Sequence, residues 1–288
     1  MKHLKLTIIV LVFSLSFNFS YAQEKVKLEN SVLWKIEHSS LQQPSYLLGT
    51  IHLMCENDFE ISKKVKRILQ KVDGLVLEVN LSDPQELQTL QESMANPKKI
   101  SEELSKKQFN ELDKLVQQVI GQPLINFDSY GLSTLNAIMI SKMLPCSQIK
   151  SFETELVQEA TKNQLALYSL EKVSDQMNFF NKAYPTDYNF KQIMLFYSYK
   201  KDFNDAIIAY KNEDITTTVG LITKEIYMNK NAVTYMQTLR NKNWVDKMPE
   251  MMKKRSNLFA VGAAHLTNKH GIIYLLRQKG YTITPVFN

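Results

Sequence analysis

The stretch YLLGTIHL, residues 46–53, returns near the end of the chain as FAVGAAHL, residues 259–266. Each copy reads as a buried strand that runs into Gly-x-x-His-Leu, and a helical pattern follows each copy. A glycine at the end of a strand allows another group to approach the backbone closely. Two copies are too few for a solenoid, so they indicate two related halves that share one sheet.

The segments around the first copy predict parallel strands. An amphipathic helix, with apolar residues at helical spacing over 65–72, is followed by the apolar run 75–79. Such an uninterrupted apolar strand is typical of a sheet that is covered on both faces. The order strand, helix, strand predicts a parallel pair joined by a right-handed crossover. Further strands are expected at 32–37, 165–170 and 281–286.

Residues of about 84–255 carry mostly helical patterns, and glycine and proline are scarce, with eight of each in 288 residues. The hydrophobic share of 44% and the charged share of 22% are ordinary for a globular protein and exclude a disordered or collagen-like chain. The expected fold class is therefore α/β. A mixed, largely parallel central sheet comes from two related halves, each with a strand-GxxH-helix unit, and a large helical insertion separates them.

The first 22 residues read as a signal peptide. Two lysines precede an apolar run over 6–19, and Ser-Tyr-Ala at 20–22 places small residues at the spacing of a signal peptidase site. Gln23 is then the first mature residue. We expect an exported protein, periplasmic or secreted, whose mature chain 23–288 is a single domain without a transmembrane segment. The apolar run is short for a membrane span, and an uncleaved N-terminal anchor is the alternative.

Cys55 and Cys146 are too few for a disulfide scaffold or a multi-cysteine zinc module. They can pair in an oxidising compartment if the fold brings them together. Cys55 alone, three residues after His52, is read either as a ligand or nucleophile or as a small buried or disulfide-bonded residue. The net charge of +6 is modest, and the lysines are scattered among acids without a phosphate loop, so nucleic acid is not an expected partner.

Three ionisable residues end predicted strands: His52, Glu78 and His265. In an open α/β sheet the functional crevice lies beyond the carboxyl ends of the strands, so we expect the three side chains to converge there. A carboxylate at the end of an apolar strand is costly unless it is paired, protonated or bound to a cation. Two imidazoles and one carboxylate are a common ligand set for a divalent metal with open water positions, which suits hydrolysis of an amide or ester.

Other interpretations of these residues stay open. A histidine at a strand end often serves as a hydrogen-bonded structural residue. In a metal-free site, one histidine acts as general base, oriented by Glu78, while the other binds substrate. Arg240, which precedes Asn241, is either a clamp for a substrate carboxylate or oxyanion or half of a surface salt bridge. Glu171 is either a partner behind the site or an acid at a helix N-terminus.

The ordered set of these motifs resembles the TraB/GumN family, which is related to the Tiki metalloproteases and more distantly to erythromycin esterase-like and haem-binding ChaN-like proteins. The resemblance covers nearly the whole mature chain. It rests on LWK at 33–35, YLLGTIH at 46–52, LVLEV at 75–79, Leu170-Glu171 with Gln176, Arg240-Asn241 with Trp244, GAAHL at 262–266, Gly271, Leu275-Leu276 and Gly280-Tyr281.

This resemblance implies a catalytic site at His52, Glu78 and His265, which match the residues proposed for the Tiki active site. It also implies that the protein is a metal-dependent hydrolase whose partner is a peptide or a small ester. Arg240 is expected among the catalytic residues. Arg240, Asn241 and Glu171 are the expected substrate-binding or supporting residues.

A divalent metal, Mn²⁺, Co²⁺ or Zn²⁺, is expected on His52, His265 and Glu78, with general base as the alternative role of Glu78. One rival function is binding without turnover, in which the same histidines ligate haem or hold a peptide pheromone. Another is an exported scaffold whose site is inactive. Family members often carry glycine two residues after the second His-Leu, where this chain has Asn268.

Overall fold

The computed structural model describes residues 28–287, which form an α/β fold. The strands are β1 (Leu33–Glu37), β2 (Ser45–Thr50), β3 (Leu53–Cys55), β4 (Gly74–Leu77), β5 (Ile149–Ser151), β6 (Ala166–Ser169), β7 (Asn257–Gly262) and β8 (Thr282–Pro285). The first helices are α1 (Lys63–Leu69), α2 (Pro84–Met94), α3 (Ile100–Glu103), α4 (Lys106–Ile120), α5 (Gly131–Ser141), α6 (Phe152–Lys162) and α7 (Val173–Ala183). The remaining helices are α8 (Thr186–Met194), α9 (Phe196–Lys211), α10 (Ile215–Ile222), α11 (Lys230–Val233), α12 (Leu239–Lys254) and α13 (Ile272–Gln278).

Six strands form the central sheet in the order β6–β4–β7–β2–β1–β8. The neighbours from β6 to β2 are parallel, whereas β1 runs antiparallel to both β2 and β8. Strands β4 and β7 are buried along their whole length, as expected for apolar strands covered on both faces. The prediction of a mixed, largely parallel sheet is therefore confirmed. The predicted direct pairing of β2 with β4 is wrong, because β7 lies between them.

The two Gly-x-x-His copies lie side by side at the same edge of the sheet. Strands β2 and β7 pair in parallel, with Gly49 opposite Val261 and Thr50 opposite Gly262, so the copies are offset by one residue. This arrangement explains the glycine in the first copy: a Cβ on Gly49 would lie 2.9 Å from Cδ2 of Leu266 in the second copy. The two related halves share one sheet, as predicted.

The chain that follows each copy differs. After the second copy it reaches the predicted helix, α13, through a short loop. After the first copy it forms the short strand β3, which pairs antiparallel with β5 in a separate two-stranded sheet that the sequence patterns missed. A disulfide joins Cys55 at the end of β3 to Cys146, with the two Cα atoms 5.8 Å apart. Cys55 is therefore neither a free ligand nor a free nucleophile.

The segment between β4 and β7 is mostly helical, as expected, but holds two strands, β5 and β6, where one was predicted. Its helices α3, α4, α5, α8 and α9 enclose a second apolar core, in which Leu112, Leu135 and Phe196 are buried, apart from the core around the sheet. This insertion supplies Gln176 and Arg240, whose side chains bind the carboxylate of Glu78.

Among residues 28–287, none of the helices is long and apolar enough to cross a membrane. The predicted signal peptide and its cleavage site between Ala22 and Gln23 lie outside the described residues. Export of the chain therefore stays a prediction.

Candidate active site

The predicted residues His52, Glu78 and His265 come together at the carboxyl edge of the central sheet. Glu78 directly follows β4, His52 follows β2 by two residues, and His265 ends a short 3₁₀ turn after β7. Because β4, β7 and β2 are consecutive neighbours, their carboxyl ends open on one region. Nε2 of His265 lies 3.7 Å from Oε1 of Glu78.

Glu78 is buried and both of its carboxylate oxygens are bound. The backbone N–H of Gly262 donates to Oε1 at 2.7 Å, and Nη2 of Arg240 donates to Oε2 at 2.6 Å. Burial by itself would raise the pKa of Glu78, but the Arg240 charge, followed by the two histidines, lowers this pKa to about 2. Glu78 is thus a carboxylate at every physiological pH and a weak proton acceptor.

Arg240 is buried between two carboxylates. Its Nε and Nη2 donate to Oε1 of Glu171 at 3.0 and 2.6 Å, in addition to the bond from Nη2 to Glu78. Glu171 also accepts from the indole N–H of Trp244, whose ring lies 4.7 Å from the guanidinium. Neither sequence interpretation of Arg240 describes this position: the ion pair is internal, and the guanidinium is held against protein carboxylates.

The helix that carries Arg240 has an irregular turn just before it. Residues Thr234–Thr238 form a π-helical segment between α11 and α12, and such segments are frequent at functional sites. The carbonyl of Met236 accepts a hydrogen bond from Nη1 of Arg240 at 3.2 Å. The π turn therefore supplies one of the hydrogen-bond acceptors of Arg240.

His265 is held as a neutral imidazole. Its Nδ1 lies 2.6 Å from Oδ1 of Asn241, whose amide nitrogen donates to the carbonyls of His265 and His270. These two donations fix the amide, so Nδ1 of His265 carries the proton and Nε2 presents its lone pair toward Arg240. Burial, with the Arg240 and His52 charges, lowers the pKa of His265 to about 3 against the opposing effect of Glu78.

His52 differs from Glu78, Arg240 and His265, which are buried, because its side chain is 62% exposed. Its Nδ1 donates to Oε1 of Glu153 at 2.9 Å, and the same oxygen accepts from the Thr50 hydroxyl at 2.8 Å. Desolvation acts to lower the pKa of His52, but the Glu153 charge and hydrogen bond outweigh it and raise this pKa to about 9. Sequence analysis missed Glu153, because an acid in the first turn of a helix is usually explained by the helix dipole.

Gly262 separates His52 from Glu78. A Cβ at this position would lie 3.2 Å from Nε2 of His52 and 3.4 Å from Oε1 of Glu78. Any side chain here would therefore occupy the space that these two atoms face. The glycine of the second copy is needed for this open space as well as for the backbone N–H that Glu78 accepts.

The two imidazoles and the carboxylate are donor groups of the kinds that bind divalent cations. Each histidine binds an oxygen acceptor through Nδ1, which leaves Nε2 as the donor atom, a common arrangement for metal-bound imidazoles. The space beside Gly262 lies between Nε2 of His52 and a carboxylate oxygen. In the described part of the chain, however, no three His, Cys, Asp or Glu side chains stand close enough to form a ready cluster. The Arg240 guanidinium, 3.3 Å from Nε2 of His265, shares that side of the site.

Three further predicted residues take supporting positions. Asn241 orients His265, and Glu171 binds Arg240 behind Glu78, where Gln176 also donates to both carboxylates. Asn268, at the position where the family resemblance led us to expect glycine, has a φ of 70°. Asparagine tolerates this left-handed conformation better than most residues, so the loop after His265 keeps a glycine-like backbone.

Comparison with known proteins agrees with this architecture. The model of the TraB/PrgY/gumN family matches residues 32–285. No curated protein and no solved structure gives a significant match. The matched range runs from the residue before β1 to the last residue of β8, so it includes both Gly-x-x-His copies, the helical insertion and every residue of the site. The chain therefore belongs to the TraB/PrgY/gumN family.

Proposed function

We propose that the protein is an exported, metal-dependent hydrolase that cleaves peptide or ester bonds at His52, Glu78 and His265. The observation that carries the proposal is the facing of Nε2 of His52 and Oε1 of Glu78 across the side-chain-free position of Gly262. A reacting group placed there would meet an exposed imidazole on one side and a permanently ionised carboxylate on the other.

The buried residues would supply a rigid frame, and His52 the contact with substrate. Arg240, Glu171 and Asn241 fix Glu78 and His265 by hydrogen bonds, whereas the His52 ring is accessible from solvent. Hydrolysis benefits from such preorganisation because the charges need not rearrange during the reaction. Substrate would therefore enter over His52.

A divalent metal held by His52, Glu78 and His265 would polarise the scissile carbonyl and lower the pKa of a bound water. Of the two roles considered for Glu78, the ligand role is favoured here. A carboxylate with a pKa of about 2 is a poor general base near neutral pH. Arg240 would balance the negative charge of Glu78 and Glu171 and would not contact the substrate.

In the metal-free alternative, the carboxylate that orients His52 is not the one predicted from the sequence. His52 is oriented by Glu153, not by Glu78, so a dyad of His52 and Glu153 would handle the proton. The raised pKa of about 9 makes His52 mainly a proton donor near neutral pH in this form. In the haem-binding alternative, iron on Nε2 of His265 would meet the guanidinium of Arg240 at 3.3 Å, as would any other cation bound to that atom.

A peptide-library cleavage assay tests the proposal. The mature chain, residues 23–288, is stripped of metal and assayed with Mn²⁺, Co²⁺ or Zn²⁺, beside His52→Ala and Glu78→Gln. His38→Ala, which changes a histidine in the β1–β2 turn, is the matched control. We expect metal-stimulated cleavage by the wild type and the control, with a loss of about 100-fold or more in the two site variants. Cleavage that survives both site substitutions, or no cleavage with any of the three metals, would contradict the proposal.

A further inference from the structure

We propose that Glu153 is a positioning residue for His52, and that the two-stranded β3–β5 sheet with its disulfide holds the pair in register. Its carboxylate fixes the proton on Nδ1 of His52 and turns Nε2 toward Glu78. The consequence for catalysis rests on the proposed function, whereas the positioning itself does not.

Three hydroxyl or ring donors converge on the Glu153 carboxylate. Oε1 accepts from Nδ1 of His52 at 2.9 Å and from the Thr50 hydroxyl at 2.8 Å, and Oε2 accepts from the Ser151 hydroxyl at 3.3 Å. Thr50 ends β2 and Ser151 ends β5, so the carboxylate is tied to both strands that flank it. The orientation of Glu153 is thus set independently of His52.

Backbone hydrogen bonds between β3 and β5 place His52 and Glu153 next to each other. Leu53 pairs with Ser151, and the N–H of Phe152 donates to the carbonyl of His52 at 3.0 Å, so His52 and Glu153 lie at the same end of the small sheet. The disulfide from Cys55 to Cys146 closes the opposite end. The small sheet and the disulfide therefore hold His52 beside Glu153, although the two residues are about 100 positions apart in the sequence.

The chemistry of this pair explains its value to the site. An exposed imidazole that lacks a partner samples two tautomers and two ring orientations. When His52 gives up a proton to a base or a cation, a carboxylate on Nδ1 keeps the remaining proton there, so the lone pair forms on Nε2 and that atom becomes a better donor. Since Nε2 of His52 faces the space beside Gly262, Glu153 determines which atom a substrate or cation meets there.

Imidazole NMR on the mature chain tests this inference without relying on activity. The protein is labelled with ¹⁵N-histidine, and the His52 signals are identified by their loss in His52→Ala. Glu153→Gln keeps the size of the side chain and Glu153→Ala removes it. Glu155→Gln is the matched control. Glu155 lies two residues after Glu153 in α6 and forms an ion pair with Lys150. All spectra are recorded at one pH.

We expect a downfield Nδ1–H proton for His52 in the wild type and in Glu155→Gln, and its loss or large shift in both Glu153 variants. Cleavage by Glu153→Gln should fall about 10- to 100-fold in kcat with little change in KM. Unchanged His52 signals in folded Glu153→Gln and Glu153→Ala would overturn the inference. A shifted His52 signal together with no cleavage by any form would support the positioning and contradict the hydrolase proposal.

Discussion

At the scale of single residues, Arg240 is the centre of the electrostatic arrangement. Its side chain is 3% exposed and is shared by Glu78 and Glu171, both of which are also buried. Removing one partner of a buried ion pair leaves a charge in a low-dielectric interior without compensation. Arg240 should therefore contribute much more to the free energy of unfolding than the surface ion pairs elsewhere on the chain do.

We expect Arg240→Ala to lower the free energy of unfolding by about 3–5 kcal/mol, because two buried carboxylates then lack their cation. Lys253→Ala removes the exposed pair with Glu250 and should change this free energy by less than about 0.5 kcal/mol. Urea denaturation at pH 7 followed by circular dichroism measures both. Equal, small effects of the two substitutions would show that the internal network is not formed.

His265 should make the metal-free protein acid-sensitive. Its pKa is about 3 when folded, below the value of about 6.5 in an unfolded chain, so the folded state binds its proton less readily. The stabilisation is present above pH 6.5 and is lost as the pH falls toward 3. Between pH 6.5 and 4.5 the free energy of unfolding should fall by up to about 1.4 kcal/mol per pH unit through this residue.

Urea titrations of the metal-stripped protein at pH 6.5, 5.5 and 4.5 measure this slope, with His265→Gln as the comparison. Glu78 contributes only at the acid end of this window, because its stabilisation is lost as the pH falls through about 4.5 toward 2. His52 has a raised pKa and loses its stabilisation above pH 6.5, not below it. A slope that is the same in wild type and His265→Gln would mean that His265 is not a buried neutral imidazole.

The sequence predicted the meeting of His52, Glu78 and His265 because strand ends are visible as breaks in apolar patterns. It could not predict that Glu153 binds His52 or that Glu171 binds Arg240. Glu153 lies in the first turn of a helix and Glu171 lies just before one. The helix dipole alone accounts for an acid at such a position, so the sequence gives no sign of another partner. Their actual partners are distant in the chain and become neighbours only through the order of strands in the sheet.

At the scale of elements, the loop after His265 depends on the backbone conformation of Asn268. Its φ of 70° disfavours residues with an ordinary side chain. We expect Asn268→Ala to lower the free energy of unfolding by about 1 kcal/mol and Asn268→Gly to leave it nearly unchanged. Thermal unfolding of the two variants measures the difference. Equal melting temperatures for both would contradict the left-handed conformation.

The strands of the parallel sheet were predictable, with ends that differ by one or two residues from the observed ones, whereas the irregular elements were not. The apolar runs of β4 and β7 and the two Gly-x-x-His copies carry strong local signals. The three-residue strands β3 and β5 are too short to show alternation, and the π turn before Arg240 differs from an α-helix by one residue. These are also the elements that aim His52 and Arg240.

At the scale of the whole molecule, the disulfide links the segment after the first Gly-x-x-His copy to the helical insertion. It joins Cys55, next to the first copy, to Cys146 in the helical insertion, 91 residues away in the chain. We expect the Cys55→Ser and Cys146→Ser double variant to lose about 2–4 kcal/mol of stability, because the unfolded chain regains the freedom that the link removes. Urea denaturation under oxidising conditions tests this. No change relative to the wild type would indicate that the link is absent in solution.

The proposal that most needs a test is that His52, Glu78 and His265 form a single metal-binding hydrolytic site. The most direct measurement is the metal content and melting temperature of the mature chain, residues 23–288, with Mn²⁺, Co²⁺ or Zn²⁺. We expect about one bound ion per chain and a raised melting temperature in the wild type and in His38→Ala, with both lost in His52→Ala. Absence of bound metal and of any shift in melting temperature with all three ions would contradict it.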